Sequence, residues 1–239
     1  PCGKCPGGKI CLAMIRALLC PNCGTHLKGL HLHMTDRPSP SSSNSCMSHQ
    51  LVDGHVVDLD TVRDVARFRN ATRQELYAKR KAVSLDARRA TATAIGTLLN
   101  EAIGDPKDKV IAAYWPIRGE LDLRDWMANM HNRGAILSLP VMPAKHQPLE
   151  FHHWTPQMGH FNIPIPIAST PLDPDIIVVP LLGVDAAQYR LGNGGGYYDR
   201  TLARRPQAHT IGIGAEFCQI QTIFPQPWDI KLNTILLAP

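Results

Sequence analysis

The sequence predicts an α/β fold, a layered, open and mainly parallel sheet flanked by helices, preceded by an N-terminal extension. Short apolar runs alternate with segments of helical periodicity through residues 61–239, which is the pattern of strand–helix–strand units. The run at residues 175–182 is apolar on both alternating faces, as in a strand that is covered on both sides of a parallel sheet. Residues 1–60 are instead rich in Cys and Ser. We expect this extension to be disordered, or the product of a start site placed too far upstream.

The predicted elements follow in order along the chain. Strong helix formers fill residues 72–82. Ser84 is a typical N-cap for a second helix, which Gly104 should end. Val110–Trp115 is a short apolar strand that Pro116 terminates. The remaining predicted elements are a helix over 122–133, strands over 135–142, 149–154, 175–182 and 210–215, and a helix over 198–204.

Charge and composition exclude several classes of protein. The net charge is +5, but residues 1–50 carry five Lys/Arg against one Asp, so the rest of the chain is nearly neutral. A near-neutral body argues against nucleic-acid binding. The apolar run at residues 10–20 is interrupted by Arg16 and is too short to cross a bilayer. Only Cys218 lies in the body, which is typical of intracellular proteins. We expect a cytoplasmic monomer.

The segment Tyr189–Asp199 is the most informative part of the sequence. Four of the five residues 192–196 are glycine, and a fold that keeps such a cluster commonly needs positive φ angles or close approach of a ligand to the backbone. Amide groups that lead into a helix form an anion site, and phosphate is the natural guest. A simple tight turn is the competing interpretation. The pattern is neither a Walker A loop nor a dinucleotide fingerprint.

The run Arg190-Leu-Gly-Asn-Gly-Gly-Gly-Tyr-Tyr-Asp-Arg200, preceded by Asp175-Ile-Ile-Val-Val-Pro-Leu-Leu182, closely resembles the signature of the 5-formyltetrahydrofolate cyclo-ligase family. The resemblance extends from about Arg67 to the C-terminus, roughly 170 residues. It implies the Mg²⁺-dependent cyclisation of 5-formyltetrahydrofolate to 5,10-methenyltetrahydrofolate, in which ATP gives ADP and phosphate. Small molecules are then the partners that we expect.

The resemblance also implies the ATP-binding residues. A basic pair on the first helix of the family binds ATP phosphates, and Arg69 and Arg73 occupy its place, with Arg69 where the family has Lys. Without the family, a solvated basic helix face would be the better interpretation. The glycine segment should bind the same phosphates. The ATP-binding residues implied there are Gly192, Asn193, Gly194, Gly195, Gly196 and Tyr198.

Further roles follow from the same resemblance. Trp115 and Glu120 match the family segment that binds folate, where Trp115 would stack on the pterin and Glu120 would accept its N–H groups. Asp199 and Asp229 match carboxylates that hold Mg²⁺. Tyr197 would line the folate and phosphate pocket. The catalytic residues expected from the match are Arg190, Tyr197 and Asp199.

The chain departs from the family pattern at two places in particular. Ile165 stands where the family commonly has Glu, and Asn233 stands where it has a late Asp. Neither change removes a residue that we assign to phosphate or metal. Both leave the efficiency and the substrate preference open.

The extension contains two Cys-x-x-Cys pairs, at residues 2–5 and 20–23. Their spacing resembles a zinc ribbon at the short end of its range. Cys11 between the pairs and the polar run that follows argue against it, and we expect no zinc site. Cys20 and Cys23 with His31 and His33 are a weaker alternative set.

Two other functions remain open on sequence grounds. The chain could be another ATP-dependent ligase or kinase on a related fold, or a non-catalytic nucleotide-binding module. The pair Asp199 and Asp229 favours an enzyme over the module. Folate dependence of ATP hydrolysis would separate the first alternative from a cyclo-ligase.

Overall fold

The computed structural model describes residues 49–52, 54–154 and 170–239. A short antiparallel hairpin, β1 (His49–Val52) and β2 (His55–Asp58), opens the described part. Two long helices follow, α1 (Leu59–Ala82) and α2 (Leu85–Ile103). The hydroxyl of Ser84 accepts the N–H of Ala87 at 3.1 Å, and Gly104 ends α2 with a φ of 69°. Both predicted ends of this helix are therefore confirmed.

The centre of the fold is a six-stranded sheet. Its strands in chain order are β3 (Val110–Ala112), β4 (Ile136–Val141), β5 (Glu150–His153), β6 (Ile176–Pro180), β9 (His209–Ala215) and β10 (Thr234–Ala238). The spatial order is β10-β9-β6-β3-β4-β5, with every pair parallel except β4 and β5. Between β6 and β9 lie the short hairpin strands β7 (Gly183–Val184) and β8 (Arg190–Leu191) and the helix α4 (Tyr197–Ala203); α3 (Arg124–Asn132) precedes β4.

Strand β6 is covered on both faces, as its sequence predicts. Ile176 and Val178 pack in one apolar cluster with α2 and α3, whereas Ile177 and Val179 pack in another with Leu202 of α4. Helices on both faces of a mainly parallel sheet define the predicted α/β class, which is confirmed. Ligands of such sheets bind at the carboxyl ends of the strands. The glycine segment follows β6 and belongs to that edge.

The structure differs from the prediction in several elements. The hairpin strands β1 and β2 lie within residues 1–60, which the sequence predicts to be disordered, and β7 and β8 are also absent from the prediction. Helix α1 begins at Leu59, thirteen residues before the helical stretch that the sequence indicates. Strand β10 is absent from the prediction, and β5 pairs antiparallel at the edge. The four-residue apolar run of β10 is too short to give a periodicity that can be recognised, and strand direction has no local signature.

Some predictions fall outside the described ranges. The cysteine pairs of the extension and Ile165 are among them. In the ranges that are described, the helices are all too short or too polar to cross a membrane.

Candidate active site

Helix α1 presents arginines toward the carboxyl edge of the sheet. Arg69, Arg73 and Arg80 are spaced by four and seven residues, which places them on one face of a helix. Arg80 is buried and donates from Nη2 to the carbonyl of Leu181 at 2.6 Å, just beyond β6. The helix thereby packs its basic face against the strand end where a ligand is expected.

Arg69 is committed to protein partners. Its Nε donates to the carbonyl of Ile223 at 2.8 Å, and its Nη2 donates to that of Phe224 at 2.9 Å. Its two terminal nitrogens also form a bidentate pair with the carboxylate of Asp229, in which the contact from Nη1 to Oδ1 is 3.1 Å. The side chains of Arg69 and Asp229 are only 12% and 7% exposed. This arginine fastens the segment before β10 to α1.

Arg73 is the cation that remains available for a ligand. Its Nε donates to the carbonyl of Gly192 at 2.8 Å, and the guanidinium lies over Gly194. Among the described residues, nothing accepts from its Nη1 and Nη2. Desolvation, and then the charges of Arg69 and Arg190, lower the pKa of Arg73. A guanidinium so placed stays charged and is stabilised by an anion.

The glycine segment is folded around two further arginines. Arg190 on β8 is buried and donates from Nη2 to Asp199 Oδ2 at 2.8 Å. A Cβ atom on Gly192 would lie 2.2 Å from Nη1 of Arg190, so a larger residue there would force this buried guanidinium to move. Gly194 and Gly196 have φ angles of 96° and 63°, the conformations that glycine adopts most readily. Glycine thus suits these positions for two reasons, the positive φ angles of the backbone and the close approach of the Arg190 side chain.

The start of α4 carries the two predicted tyrosines. Arg200 lies 5.4 Å from the ring centre of Tyr197 and bonds to the carbonyl of Gly195. The guanidinium of Arg190 lies 5.1 Å from the ring centre of Tyr198. Desolvation, and next the charge of Glu120, raise the pKa of the Tyr198 phenol. This hydroxyl is therefore protonated at neutral pH and can donate a hydrogen bond.

Glu120 lies where the predicted phosphate and folate regions meet. The carboxylate accepts the N–H of Ile117 at 3.1 Å, and Asn193 of the glycine segment lies near enough to lower its pKa. Asn193 in turn accepts the hydroxyl of Tyr77 at 2.6 Å. Desolvation raises the pKa of Glu120, and its hydrogen bonds and the charge of Arg80 offset this only in part. The carboxylate that the sequence singles out therefore lies close to the predicted phosphate loop.

Trp115 is half-buried beside the core cluster of α2 and α3. The guanidinium of Arg124 lies 5.3 Å from the centre of its indole ring. One face of the ring is therefore engaged by a cation, and stacking of a ligand would use the other face.

The fit of a Mg²⁺ ion differs between the two predicted carboxylates. Asp199 uses Oδ2 for Arg190, while its Oδ1 has only a long contact of 3.4 Å with the N–H of Ile230. Asp229 uses both oxygens for Arg69, and its Oδ2 also accepts the N–H of Gln226 at 2.6 Å. The described ranges hold no group of three or more potential ligand side chains. Mg²⁺ commonly binds through one or two carboxylates and substrate phosphates, an arrangement that Asp199 fits.

The departure at Asn233 has a structural explanation. Its Oδ1 accepts both the N–H and the hydroxyl of Thr210, at 2.8 and 2.7 Å, and its own N–H donates back to that hydroxyl. Thr210 stands near the amino end of β9, whereas the glycine segment lies at the carboxyl edge. The amide oxygen is an acceptor that an aspartate would also provide.

Sequence reasoning missed Arg80, Tyr77 and Arg200. Arg80 continues the helical spacing of Arg69 and Arg73, so the face it lies on was available as a signal. No such signal marks Tyr77 and Arg200, because only the fold brings them to their partners, Asn193 and the carbonyl of Gly195. Arg80, Glu120 and neighbouring residues line a cavity of about 30 Å³, which has room for about one water.

The fold and the cleft define an α/β protein in which clustered arginines and a glycine segment at the carboxyl edge of the sheet suit a polyanion. A family model of the 5-formyltetrahydrofolate cyclo-ligases matches residues 65–238. The chain belongs to this family of ligases, and the resemblance seen in its sequence is confirmed.

Two proteins named 5-formyltetrahydrofolate cyclo-ligase are similar in sequence to this chain. The 5-formyltetrahydrofolate cyclo-ligase of Mycoplasma pneumoniae is 30% identical over 171 residues, which are 70% of this chain and 97% of the relative. That of Escherichia coli K12 is 30% identical over 138 residues, 53% of this chain and 76% of the relative.

Two solved structures have a fold similar to that of this chain. A 5,10-methenyltetrahydrofolate synthetase from Mycoplasma pneumoniae superposes with a TM-score of 0.59 at 26% identity, over 70% of this chain and 96% of that one. The enzyme of the same name from Aquifex aeolicus gives 0.59 at 25% identity, over 71% and 89%.

Proposed function

We propose that this protein catalyses the ATP- and Mg²⁺-dependent cyclisation of 5-formyltetrahydrofolate to 5,10-methenyltetrahydrofolate. The observation that carries the proposal is Arg73, a partly buried cation fixed to Gly192 with its terminal nitrogens left unpaired among the described residues. A triphosphate on Arg73 and the amides of residues 194–196 would supply the missing negative charge.

The chemistry needs a leaving group on the formyl carbon. In the proposed course the formyl oxygen attacks the γ-phosphorus, and the bond from that phosphorus to ADP breaks. N10 then adds to the formyl carbon and loses its proton, and the carbon–oxygen bond breaks to release phosphate. The work of the protein is to align two substrates and to stabilise the developing charge.

Each side chain of the cleft has a part in this scheme. Arg73 and the amides of the glycine segment would hold the phosphates in line with the formyl oxygen. Glu120, which accepts the N–H of Ile117, would also accept the pterin N–H groups, with Trp115 and Tyr197 on either side of the ring. Buried Arg190 keeps Asp199 oriented through their 2.8 Å contact.

Asp199 suits Mg²⁺ through its Oδ1 atom, and the phosphates of a bound nucleotide would supply further oxygen ligands. The ion would neutralise phosphate charge during transfer. Asp229 serves first as the partner of Arg69 and would join the metal only if that pair opened.

The decisive experiment follows the rise in methenyl-folate absorbance when the protein receives 5-formyltetrahydrofolate, Mg²⁺ and ATP, with an ATP-free control. We expect an ATP-dependent rise in the wild type and a loss on the order of 100-fold in Asp199→Asn. Asp173→Asn is the matched control, because Asp173 is exposed and pairs with Arg205. No rise from folded protein that binds ATP would overturn the proposal and favour another ATP-dependent ligase.

A further inference from the structure

Two aromatic side chains beside the arginine cluster remain open to solvent. The rings of Phe68 on α1 and Phe224 lie edge to face, with centroids 4.9 Å apart and an angle of 81°. Each residue is 39% exposed, whereas Phe151 is fully buried in the core. Burying an aromatic ring is strongly favourable. A pair of rings that remains exposed is therefore a candidate surface for a flat apolar ligand.

The backbone beneath Phe224 is held in one conformation. Its φ angle is 50°, which is uncommon for a bulky residue and costs about 1–3 kcal/mol. Its N–H donates to the hydroxyl of Thr222 at 2.9 Å, and its carbonyl accepts Nη2 of Arg69 at 2.9 Å. Arg69 also holds the preceding carbonyl, that of Ile223, at 2.8 Å. The ring is presented by a fixed loop, and an arginine links that loop to α1.

The aromatic pair lies at a suitable distance from the available cation. Phe68 precedes Arg73 by five residues, about 7.5 Å along the helix axis and about 140° around it, and Arg69 lies between the two on the helix surface. Arg73 bonds to the glycine segment on one side of α1, and the Phe224 loop bonds to Arg69 one turn earlier. A nucleotide with its phosphates on Arg73 would reach the two rings across the Phe224 loop that Arg69 holds.

We propose that Phe68 and Phe224 form the subsite that stacks on the base of the nucleotide. This rests on the proposed function, since it places the base of the ATP whose phosphates Arg73 binds. Stacking of a base on an aromatic side chain contributes about 1–3 kcal/mol, and all bases have a face that can take part. The pair is a binding site for the base and takes no part in the chemistry.

The test compares ATP with inorganic tripolyphosphate, which carries the phosphates without a base. Both are titrated calorimetrically into the full chain and into Phe68→Ala and Phe224→Ala. We expect the alanine variants to bind ATP about 5- to 150-fold more weakly and to bind tripolyphosphate as the wild type does. Phe224→Trp should keep ATP affinity. Met142→Ala is the control, since Met142 is equally apolar, 55% exposed and follows β4 near the other edge of the sheet.

The possible results separate this proposal from the one it rests on. Unchanged ATP affinity in both alanine variants would overturn the base subsite, and so would an equal loss for ATP and tripolyphosphate. If the wild type dimerises through the pair, Phe224→Ala should be monomeric with full ATP affinity, which also overturns the subsite. A wild type that binds tripolyphosphate and not ATP would do the same. A wild type that binds neither would instead overturn the proposed function.

Discussion

Arg69 shows how one side-chain choice changes a site. The family pattern has lysine there, and the planar guanidinium permits what an ammonium cannot, a bidentate pair with Asp229 together with bonds to two carbonyls. In this chain the first member of the basic pair therefore holds the loop that carries Phe224. We therefore expect the proposed phosphate binding to rest chiefly on Arg73.

We predict that Arg69→Lys lowers the free energy of unfolding by about 1–3 kcal/mol, because a single nitrogen cannot replace the four contacts. Urea denaturation of the variant and the wild type measures this. Arg63→Lys is the matched control, since Arg63 pairs with Asp60 on the exposed side of the same helix and surface pairs contribute little. Equal midpoints for Arg69→Lys and the wild type would contradict a tethering role.

Glu120 gives a pH-dependent prediction. Its pKa is raised above the reference value of 4.5, so ionising this carboxyl is harder in the folded than in the unfolded protein. The corresponding stability is fully present below the unfolded pKa and is lost as the pH rises through the folded pKa. Glu120→Gln cannot ionise and avoids that loss. We therefore expect its melting temperature to exceed that of the wild type near pH 7 and the difference to shrink toward pH 4.

Calorimetric or fluorescence melting across that pH range measures the difference. Glu101→Gln, on the exposed surface of α2, is the control for removing one negative charge. A difference that stays constant with pH would mean that the carboxyl is not ionised at a cost in the folded state.

At the scale of elements, the sequence predicts best where the signal is local. Both ends of α2 follow from Ser84 and Gly104, because capping uses residues next to the helix. The first half of α1 carries charges on several faces, among them Arg63, Asp64 and Arg67, so no apolar stripe marks it. Its actual cap is Asp58, which accepts the N–H of Asp60 at 3.1 Å.

Part of the candidate site could be predicted for the same reason. The glycine segment is contiguous, and its resemblance to a family locates it without the fold. The pairing of Arg69 with Asp229 joins residues 160 positions apart, and the hydrogen bond from Tyr77 to Asn193 joins α1 to the glycine segment. Such pairs are set by how the elements pack, and no spacing rule along the chain contains that information.

The glycine segment yields a prediction with an internal control. Gly192→Ala would place a Cβ atom 2.2 Å from Arg190 and so displace its ion pair with Asp199. Gly96 lies in the middle of α2, and a Cβ there would meet Trp126 at ordinary contact distances of 3.4 to 3.8 Å. We expect Gly192→Ala to lose cyclo-ligase turnover by at least about 10-fold.

Gly96→Ala should keep turnover and gain about 0.5–1 kcal/mol of stability, because alanine is the better helix former. Steady-state rates and urea unfolding of the two variants test both statements. Full turnover in Gly192→Ala would mean that Arg190 can move without consequence for Asp199.

At the scale of the whole molecule, the sheet brings distant parts of the chain to one edge. The arginines of α1 come from the start of the described domain, the glycine segment follows β6, and Asp229 precedes β10. The last strand is held as well, since Thr91 of α2 bonds to the carbonyl of the terminal Pro239. The site thus depends on the sheet to bring together residues that lie as far apart in the chain as Arg69 and Asp229.

This arrangement predicts what the N-terminal region contributes. All the residues assigned to the cleft lie between Phe68 and Asp229, and the family match spans residues 65–238. We therefore expect a chain that starts at residue 49 to fold and to retain the ATP-dependent absorbance rise, with kcat/KM within about threefold of the full chain. Enzyme assays with and without a zinc chelator, on both chains, measure this. A shortened chain that folds but loses turnover, or a full chain that the chelator inactivates, would show that the first 48 residues belong to the working enzyme.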